Sequence, residues 1–318
     1  FGTQGNNCHD IFTRDNLAYI SEGYSNQYGI YDISDINNIT LLATIPVVGY
    51  AHNAWLNDSG THLITTEETS GITVKVWDVT DLNNINLISE YLGENNLAHN
   101  VHVKNDQLFI SHYTTGIKIV DIYNPEKPVE VAAYDTYTDN DQDGFYGCWG
   151  AYPFAENNYV YASDMQYGLF ILDYNPIYAG WSSGYVYDSD GNSISNLEIK
   201  SLLNDKIFSS NQQGYYDFGF PEGIQNFEFS IDGVLDTLNI TFYPHQEVQQ
   251  DIYINSNNIS SGDVNQDGII NILDIISIVN IILENYIPNT FEYQLADFNN
   301  DDDINVLDII GIVNIILD

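Results

Sequence analysis

The stretch GDVNQDGIINILDIISIVNIIL, from Gly262 to Leu283, decides how the C-terminal part of this chain folds, and it occurs twice. The second copy reads ADFNNDDDINVLDIIGIVNIIL, from Ala296 to Leu317, and equivalent residues lie 34 positions apart by subtraction of their numbers. Each copy is an acidic loop followed by an apolar segment with the length of a short helix. The duplication predicts two equivalent loop–helix units in one small α-helical module.

Each loop has oxygen side chains where a twelve-residue calcium loop needs ligands, at positions 1, 3, 5, 9 and 12, and position 7 supplies a backbone carbonyl. The first loop offers Asp263, Asn265, Asp267, Ile269 (through its carbonyl), Asn271 and Asp274. The second loop offers Asp297, Asn299, Asp301, Asp303, Asn305 and Asp308. Carboxylates this close repel one another unless a cation neutralises them, and a hard dication takes six to eight oxygens. The sequence therefore predicts two calcium ions, with solvated acidic turns as the alternative.

This arrangement resembles a type I dockerin, and the resemblance covers residues 261–318. It implies a calcium-folded module that docks a secreted protein onto a cohesin domain. In that family, loop positions 10 and 11 largely select the cohesin, and here they are Ile272, Leu273, Val306 and Leu307. The helices are apolar on more than one face, which predicts an exposed docking surface. Packing of that surface on the preceding domain is the alternative.

The composition restricts the partners of the whole chain. Its 318 residues suffice for two or three domains, and 7 Lys and Arg stand against 45 Asp and Glu, a formal net charge of −38. Nucleic acid and anionic membranes are therefore poor partners. Such acidity suits a saline or calcium-rich exterior, and no apolar run is long enough to span a bilayer. We expect an extracellular or cell-surface protein.

The first part of the chain is a repeat of short strands. Its recurring aspartates are spaced 46, 43 and 52 residues apart by subtraction: Asp32, Asp78, Asp121 and Asp173. Short β-rich units at this period predict the blades of a β-propeller. The phrase IKIVDIYNPEKPVEV, from Ile117 to Val131, resembles the LVIVD repeat, and residues 1–178 resemble LVIVD β-propellers of the choice-of-anchor B type.

Four visible blades are few for a propeller, and the sequence begins inside a blade. We therefore expect that further N-terminal blades exist or that another chain supplies them, which favours a homo-oligomer or a filament. The alternative is that these four blades close into a complete propeller by themselves.

One strand-like unit of the first blade is LAYIS, from Leu17 to Ser21, and similar units recur in the later blades. Three histidines occupy equivalent places about ten residues before such a unit: His9, His52 and His99. Because the first strand of each blade lines the central channel, they can converge at one channel mouth. Imidazoles in that arrangement suit zinc, copper or iron. Additional polar groups nearby are Asp10, Glu67, Glu68 and His102. Histidines that only hold the register of neighbouring blades are the alternative to a transition-metal site.

The two cysteines, Cys8 and Cys148, lie at matching places in the first and fourth blade units. A disulfide between them would join the first and the fourth blade covalently, and an extracellular location favours disulfide formation. Blades that are three apart can also be too distant for contact between sulfur atoms. Unpaired thiols are therefore the alternative.

Residues 183–255 alternate apolar and polar side chains in short strands, as in NFEFSI from Asn226 to Ile231. This segment resembles a carboxypeptidase-regulatory-like or Ig-type β-sandwich, which implies a spacer between the propeller and the C-terminal module. The predicted fold class is thus mainly β: a partial or complete propeller, a β-sandwich and a small helical calcium module.

No phosphate-binding loop, GxSxG elbow or HExxH motif occurs in the sequence. The sequence therefore favours a non-enzymatic protein whose propeller binds a ligand and whose tail anchors it to a cohesin-like or self partner. A structural subunit of an extracellular filament and a metalloenzyme with a histidine-lined channel are the alternatives.

Overall fold

The computed structural model describes residues 8–318 except 73, 94–96, 141, 143, 157, 189–190, 232–233, 255–260, 266–268, 289, 300, 302 and 318. The chain divides into two compact units. The first comprises Phe1–Trp181, Phe218–Gly223 and Phe242–Val248, and the second comprises Ser182–Asp217, Ile224–Thr241 and Gln249–Asp318. The described residues are mainly β, with three helices near the C-terminus, which confirms the predicted fold class.

Four small antiparallel sheets follow one another along the first unit. The first contains β1 (Asp10–Arg14), β2 (Leu17–Ser21), β3 (Gln27–Asp32) and β4 (Thr40–Pro46). The second contains β5 (Ala51–Leu56), β6 (His62–Glu67), β7 (Val74–Asp78) and β8 (Asn86–Tyr91). The third contains β9 (Asn100–Lys104), β10 (Gln107–Ser111), β11 (Ile117–Asp121) and β12 (Val129–Tyr134). The fourth contains β13 (Cys148–Tyr152), β14 (Tyr159–Asp164) and β15 (Gly168–Asp173). Strands adjacent in sequence are adjacent in each sheet, as in the blades of a β-propeller.

The recurring aspartates end the third strand of each blade. Asp32, Asp78 and Asp121 each accept a hydrogen bond from the backbone N–H two residues further on, at 2.8–2.9 Å. Asp173 ends β15 at the same place. An aspartate that bonds the backbone two residues ahead forms an Asx-turn, which breaks a strand and starts a loop. The spacing of these residues is therefore the spacing of the blades.

Successive blades pack face to face through apolar side chains. Three buried clusters join them, through Ile30 and Leu63, Val76 and Ile110, and Ile119 and Ala162. The first strands of neighbouring blades are also in contact, β1 with β5, β5 with β9 and β9 with β13. This arrangement brings the starts of these first strands close together, as the histidine pattern predicted.

Residues 179–253 form two further sheets. The strands are β16 (Ala179–Tyr187), β17 (Glu198–Ser201), β18 (Ile207–Ser209), β19 (Tyr215–Pro221), β20 (Gly223–Ile231), β21 (Val234–Phe242), β22 (Glu247–Gln249) and β23 (Ile252–Tyr253). One sheet has the order β19-β16-β22, with β23 also paired to β16, and the other has the order β18-β17-β20-β21. Ile199 and Phe227 are fully buried, as the inner face of a β-sandwich requires.

The C-terminal module contains α1 (Ile272–Ile282), α2 (Thr290–Ala296) and α3 (Val306–Leu317). Asn271 caps α1: its Oδ1 accepts from Leu273 N at 2.8 Å, and its own N–H donates to Asp274 Oδ2 at 2.8 Å, forming a capping box. Ile278 and Ile312, equivalent by the repeat, are the fully buried centre of the module core. Among the described helices, none combines the length and apolarity that crossing a bilayer requires.

Candidate functional site

The last aspartate of each acidic loop closes that loop. Asp274 is fully buried, and its carboxylate accepts hydrogen bonds from the N–H groups of Asn265 (3.0 Å) and Asn271 (2.8 Å). In the second copy, the buried Asp308 accepts from the N–H groups of Asn299 (3.2 Å) and Asn305 (2.8 Å). Loop position 12 thus bonds positions 3 and 9 in both copies, so each loop is folded back over its final carboxylate.

Further contacts repeat between the two loops. Asn305 Oδ1 accepts from Leu307 N at 2.8 Å, as Asn271 Oδ1 does from Leu273 N. The Nδ2 group of Asn271 donates to Ile269 O at 3.1 Å, and that of Asn305 donates to Asp303 O at 3.0 Å. Those carbonyls lie at loop position 7, where a calcium loop uses a backbone oxygen. At loop positions 3, 7, 9 and 12, the two loops therefore have the same hydrogen bonds.

Burial of carboxylates is the strongest electrostatic feature of the module. Asp263 and Asp297, at position 1 of the loops, are buried together with Asp274 and Asp308. Residues 261–318 contain no Lys, Arg or His, so no basic side chain of the module can pair with these four carboxylates. Burying an ionised carboxylate is costly unless it is paired or coordinates a metal. The donor set therefore fits a hard cation that binds through oxygen.

The other predicted ligands are placed less tightly. Asp297 Oδ1 accepts from Asp301 N at 3.1 Å, and Asp301 Oδ1 accepts from Asp303 N at 3.0 Å. Asp267, predicted at position 5 of the first loop, lies outside the described residues. Among described side chains, the carboxylates of the second loop do not form a group of three with ligand atoms all within 4.8 Å. Binding an ion there requires these side chains to turn toward a common centre.

The predicted histidines form a column of rings in the propeller. The ring centroids of His9 and His52 are 4.2 Å apart, those of His52 and His99 are 4.4 Å apart, and those of His99 and Trp149 are 4.0 Å apart. Trp149 follows Cys148 at the start of β13, so it is the fourth blade's counterpart of the histidines. The in-register pattern therefore does bring these side chains together.

The polar groups that converge on this column differ in part from the predicted set. His52, His99 and Glu68 have ligand atoms all within 4.8 Å of one another. Nε2 of His52 is 3.6 Å from Glu68 Oε2, and Nε2 of His99 is 4.0 Å from Glu68 Oε1. The third predicted histidine, His9, is turned to another partner, since its Nδ1 lies 2.9 Å from the hydroxyl of Tyr50.

Hydrogen bonds fix the orientation of two groups in this cluster. His99 Nδ1 lies 2.5 Å from the backbone carbonyl of Trp149, so this nitrogen carries the proton. The hydroxyl of Tyr113 donates to Glu68 Oε1.

Burial lowers the pKa of His99 to about 3, with a further contribution from the neighbouring His52. Burial also lowers the pKa of His52, although Glu68 opposes the shift. Both imidazoles are therefore neutral at pH 7.

Apart from Glu68, the additional polar groups predicted near the histidines contact other residues. Glu67 pairs with Lys75, and Asp10 accepts from Asn53 Nδ2 at 2.7 Å. The ring of His102 packs against Trp55, with centroids 4.7 Å apart. Sequence reasoning named Glu68 only as one of several nearby groups and missed Tyr113 entirely. Their only sequence signal is that each lies just after the second strand of its blade.

The predicted disulfide is not formed. Cys8 and Cys148 are both free, the first exposed and the second buried. They belong to the first and fourth blades, whose first strands are separated by β5 and β9. The buried backbone of Cys148 instead pairs with Tyr113 of the third blade, Tyr113 N donating to Cys148 O at 3.2 Å. Burial raises the pKa of the Cys148 thiol to about 12, with Asp164 adding to the shift, so this thiol is unreactive.

No curated protein matches the sequence. The computationally designed Ika4 protein is 12% identical, with a TM-score of 0.42, and the match covers 55% of this chain and 94% of that one. A candidate 6-phosphogluconolactonase from Bacteroides uniformis is 10% identical, with a TM-score of 0.46 and coverages of 75% and 72%. A Lactobacillus plantarum protein is 13% identical, with a TM-score of 0.44 and coverages of 72% and 69%.

One family model matches, that of the Dockerin type I domain, over residues 261–317. The match includes both acidic loops and all three helices of the module. Type I dockerin domains bind calcium and associate with cohesin partners. The repeat, the loop geometry and the family match together identify the C-terminal module as a type I dockerin domain.

Proposed function

We propose that this chain is an extracellular protein that attaches to a cohesin-like partner through residues 261–318 when calcium is bound. The observation that carries the proposal is the burial of Asp263, Asp274, Asp297 and Asp308 in a segment without any basic residue. A bound dication compensates this charge and locks each loop onto the helix that follows it. Calcium thereby controls whether the docking surface is assembled.

The docking surface consists of apolar side chains at the start of α1 and α3. More than half of each side chain is exposed at Leu273 and at its counterpart Leu307, directly after the ligand loops. The other large exposed side chains of this surface are Ile272, Ile276, Val306 and Ile310. Exposed apolar patches of this kind mark protein–protein contacts. Ile272, Leu273, Val306 and Leu307 are also the positions that the dockerin resemblance assigns to cohesin choice.

The remaining parts of the chain then serve as cargo and spacer. In this proposal, residues 1–178 are LVIVD-type propeller blades that bind a ligand, and residues 183–255 are a carboxypeptidase-regulatory-like or Ig-type spacer. The four consecutive antiparallel sheets support the first assignment, and the two sheets of residues 179–253 support the second. The proposed role of the propeller is binding rather than catalysis.

Capture of the intact chain on a panel of immobilised cohesin domains tests the attachment. We expect at least one cohesin to retain the chain in calcium buffer and to release it when a chelator is added. The variant Leu273→Asp/Leu307→Asp places charges on both copies of the surface and abolishes capture. The matched variant Leu202→Asp/Leu203→Asp, which also changes exposed leucines, retains it. Capture that survives both the chelator and the double Leu273→Asp/Leu307→Asp change contradicts the proposal.

A second candidate role, a subunit of a self-assembling structure, rests on the outer face of the fourth blade. Leu169 and Ile171 of β15 and Tyr152 of β13 are all more than half exposed. In the register of this sheet, Tyr161 lies opposite both Tyr152 and Ile171, so these residues share one face. In a propeller, such a face packs on the next blade. Light scattering of the wild type and of Leu169→Glu/Ile171→Glu tests this role, because only a self-assembling chain becomes smaller on substitution.

A further inference from the structure

The side chains of His52, Glu68 and His99 lie where the first strands of the second and third blades meet, far along the chain from the calcium loops. All three are largely removed from solvent, and His99 is only 2% exposed. We propose that these three residues bind one zinc-type dication in the propeller. This site is separate from the calcium-dependent attachment and goes beyond it.

The tautomer of His99 favours a bound cation. Because Nδ1 donates to the carbonyl of Trp149, the neutral ring presents a lone pair at Nε2. That nitrogen is buried and has no hydrogen-bond partner among the described residues. Oε1 of Glu68 lies 4.0 Å from this nitrogen. A lone pair and a carboxylate oxygen repel each other, and a cation bound between them removes this repulsion.

The distances from the Glu68 carboxylate to the two histidines also favour a bound ion. Protein hydrogen bonds between nitrogen and oxygen span about 2.7–3.2 Å, so the separations of 3.6 Å and 4.0 Å from Glu68 to His52 and His99 are too long for direct bonds. Ligand atoms that lie about 2.0–2.2 Å from a tetrahedral zinc ion are roughly 3.3–3.5 Å apart. A contraction of a few tenths of an ångström therefore brings Glu68 within zinc geometry of both histidines, whose own ligand nitrogens lie within 4.8 Å of each other.

The groups around these three side chains are those that usually surround a zinc site. A zinc-bound histidine usually donates its other N–H to a carbonyl or carboxylate, as His99 does to Trp149. A ligating carboxylate is in turn hydrogen-bonded, as Glu68 is by Tyr113. The lysine closest in sequence to Glu68, Lys75, is paired with Glu67. Two imidazoles and one carboxylate leave a fourth coordination position open for water or another ligand.

Zinc titration of the intact chain by calorimetry, in excess calcium that saturates the C-terminal loops, tests the site. We expect one zinc ion per wild-type chain. His99→Gln and Glu68→Gln weaken zinc binding at least a hundredfold, and Tyr113→Phe, which removes only the outer hydrogen bond, weakens it about tenfold to a hundredfold. His62→Gln, a change of a partly exposed histidine in the same blade as His52, leaves zinc binding unchanged.

Two controls accompany the zinc titration. Thermal unfolding shows whether each variant is folded, and anomalous diffraction at the zinc edge locates the ion in wild-type crystals without any substitution. A zinc peak between His52, Glu68 and His99 supports the proposal. A zinc peak elsewhere, or binding that is equal in His99→Gln and wild type, overturns it. Cohesin capture is unaffected by these variants, so failure of the zinc site and failure of the attachment are distinguishable.

Discussion

Gly311 and Phe298 are in such close contact that an ideal Cβ at position 311 would lie 2.3 Å from Cδ1 of the phenyl ring. Their counterparts 34 residues earlier, by subtraction of the numbers, are Ser277 and Val264. A large loop residue is thus matched with glycine in the second copy, and a smaller loop residue with serine in the first. The two copies keep the same ligands but fill the core of the module differently.

The first prediction follows from this contact. Gly311→Ala gains up to about 1 kcal/mol of helix propensity but forces the atoms of Phe298 aside at a cost of about 1–3 kcal/mol. We therefore expect a net loss of module stability of up to about 2 kcal/mol. The equivalent change in the first copy, Ser277→Ala, is neutral or stabilising. Thermal unfolding of both variants in saturating calcium checks the prediction, and equal melting temperatures would refute it.

The second prediction concerns the carboxylates at position 12. Asp274→Asn removes the negative charge and replaces one acceptor by an amide group that cannot accept from Asn265 or Asn271. We expect calcium affinity of the first loop to fall roughly tenfold or more. The calcium stoichiometry measured by calorimetry then falls from two tight sites to one. Glu284→Gln makes the same change in net charge at an exposed position and leaves both sites intact.

The third prediction concerns a buried ion pair in the second blade. Glu67 is fully buried, pairs with Lys75 through Oε1 and accepts from Gly49 N at 2.7 Å through Oε2. Lys75→Ala leaves this carboxylate buried without its cation, which costs about 3–5 kcal/mol. Lys200→Ala, which breaks an exposed pair with Asp205, changes stability little. Urea unfolding of the two variants checks the difference, and similar midpoints would count against it.

The fourth prediction is a loss of stability in mild acid. Burial, reinforced by Lys118, lowers the pKa of His112 to about 4, and Glu130 opposes the shift. Below its ordinary value of about 6.5, the histidine takes up a proton in the unfolded chain but not in the folded chain. Stability is therefore full above about pH 6.5 and falls as the pH drops toward 4, by up to about 1.4 kcal/mol per pH unit from this group.

Substitution of the same residue provides the measurement. His112 is enclosed by its bond to the Thr115 hydroxyl (2.8 Å) and by Gly93, so His112→Gln is a compact replacement without the titrating ring. We expect its unfolding free energy to depend less steeply on pH than that of the wild type between about pH 6.5 and pH 4.5. Identical slopes for the two proteins would contradict the prediction.

The repeats made much of this fold predictable. Asp32, Asp78 and Asp121 indicated the blade spacing because one residue type performs the same turn in each blade. Asn271 and Asn305 indicated the starts of helices because a capping side chain acts within three residues of the backbone that it bonds. A local interaction such as a turn or a helix cap can be recognised from a single sequence when the residue that makes it recurs at a fixed spacing.

Contacts between blades were harder to predict. His52 and His99 were found because they are in register, whereas Glu68 and Tyr113 join them only through the packing of neighbouring sheets. Of the two alternatives for Cys8 and Cys148, the structure has the free thiols and not the disulfide, because equivalent positions in a repeat need not be neighbours. Sequence periodicity fixes which residues are equivalent, but side-chain orientation decides which of them touch.

Amide hydrogen exchange of the intact chain, with calcium and after complete chelation, tests the central claim most directly. The account predicts that chelation removes protection from α1 and α3 while β2, β6 and β10 stay protected, because bound calcium neutralises the buried aspartates of the module. Equal protection of α1 and α3 in both states would contradict it and would mean that the module folds without its ions.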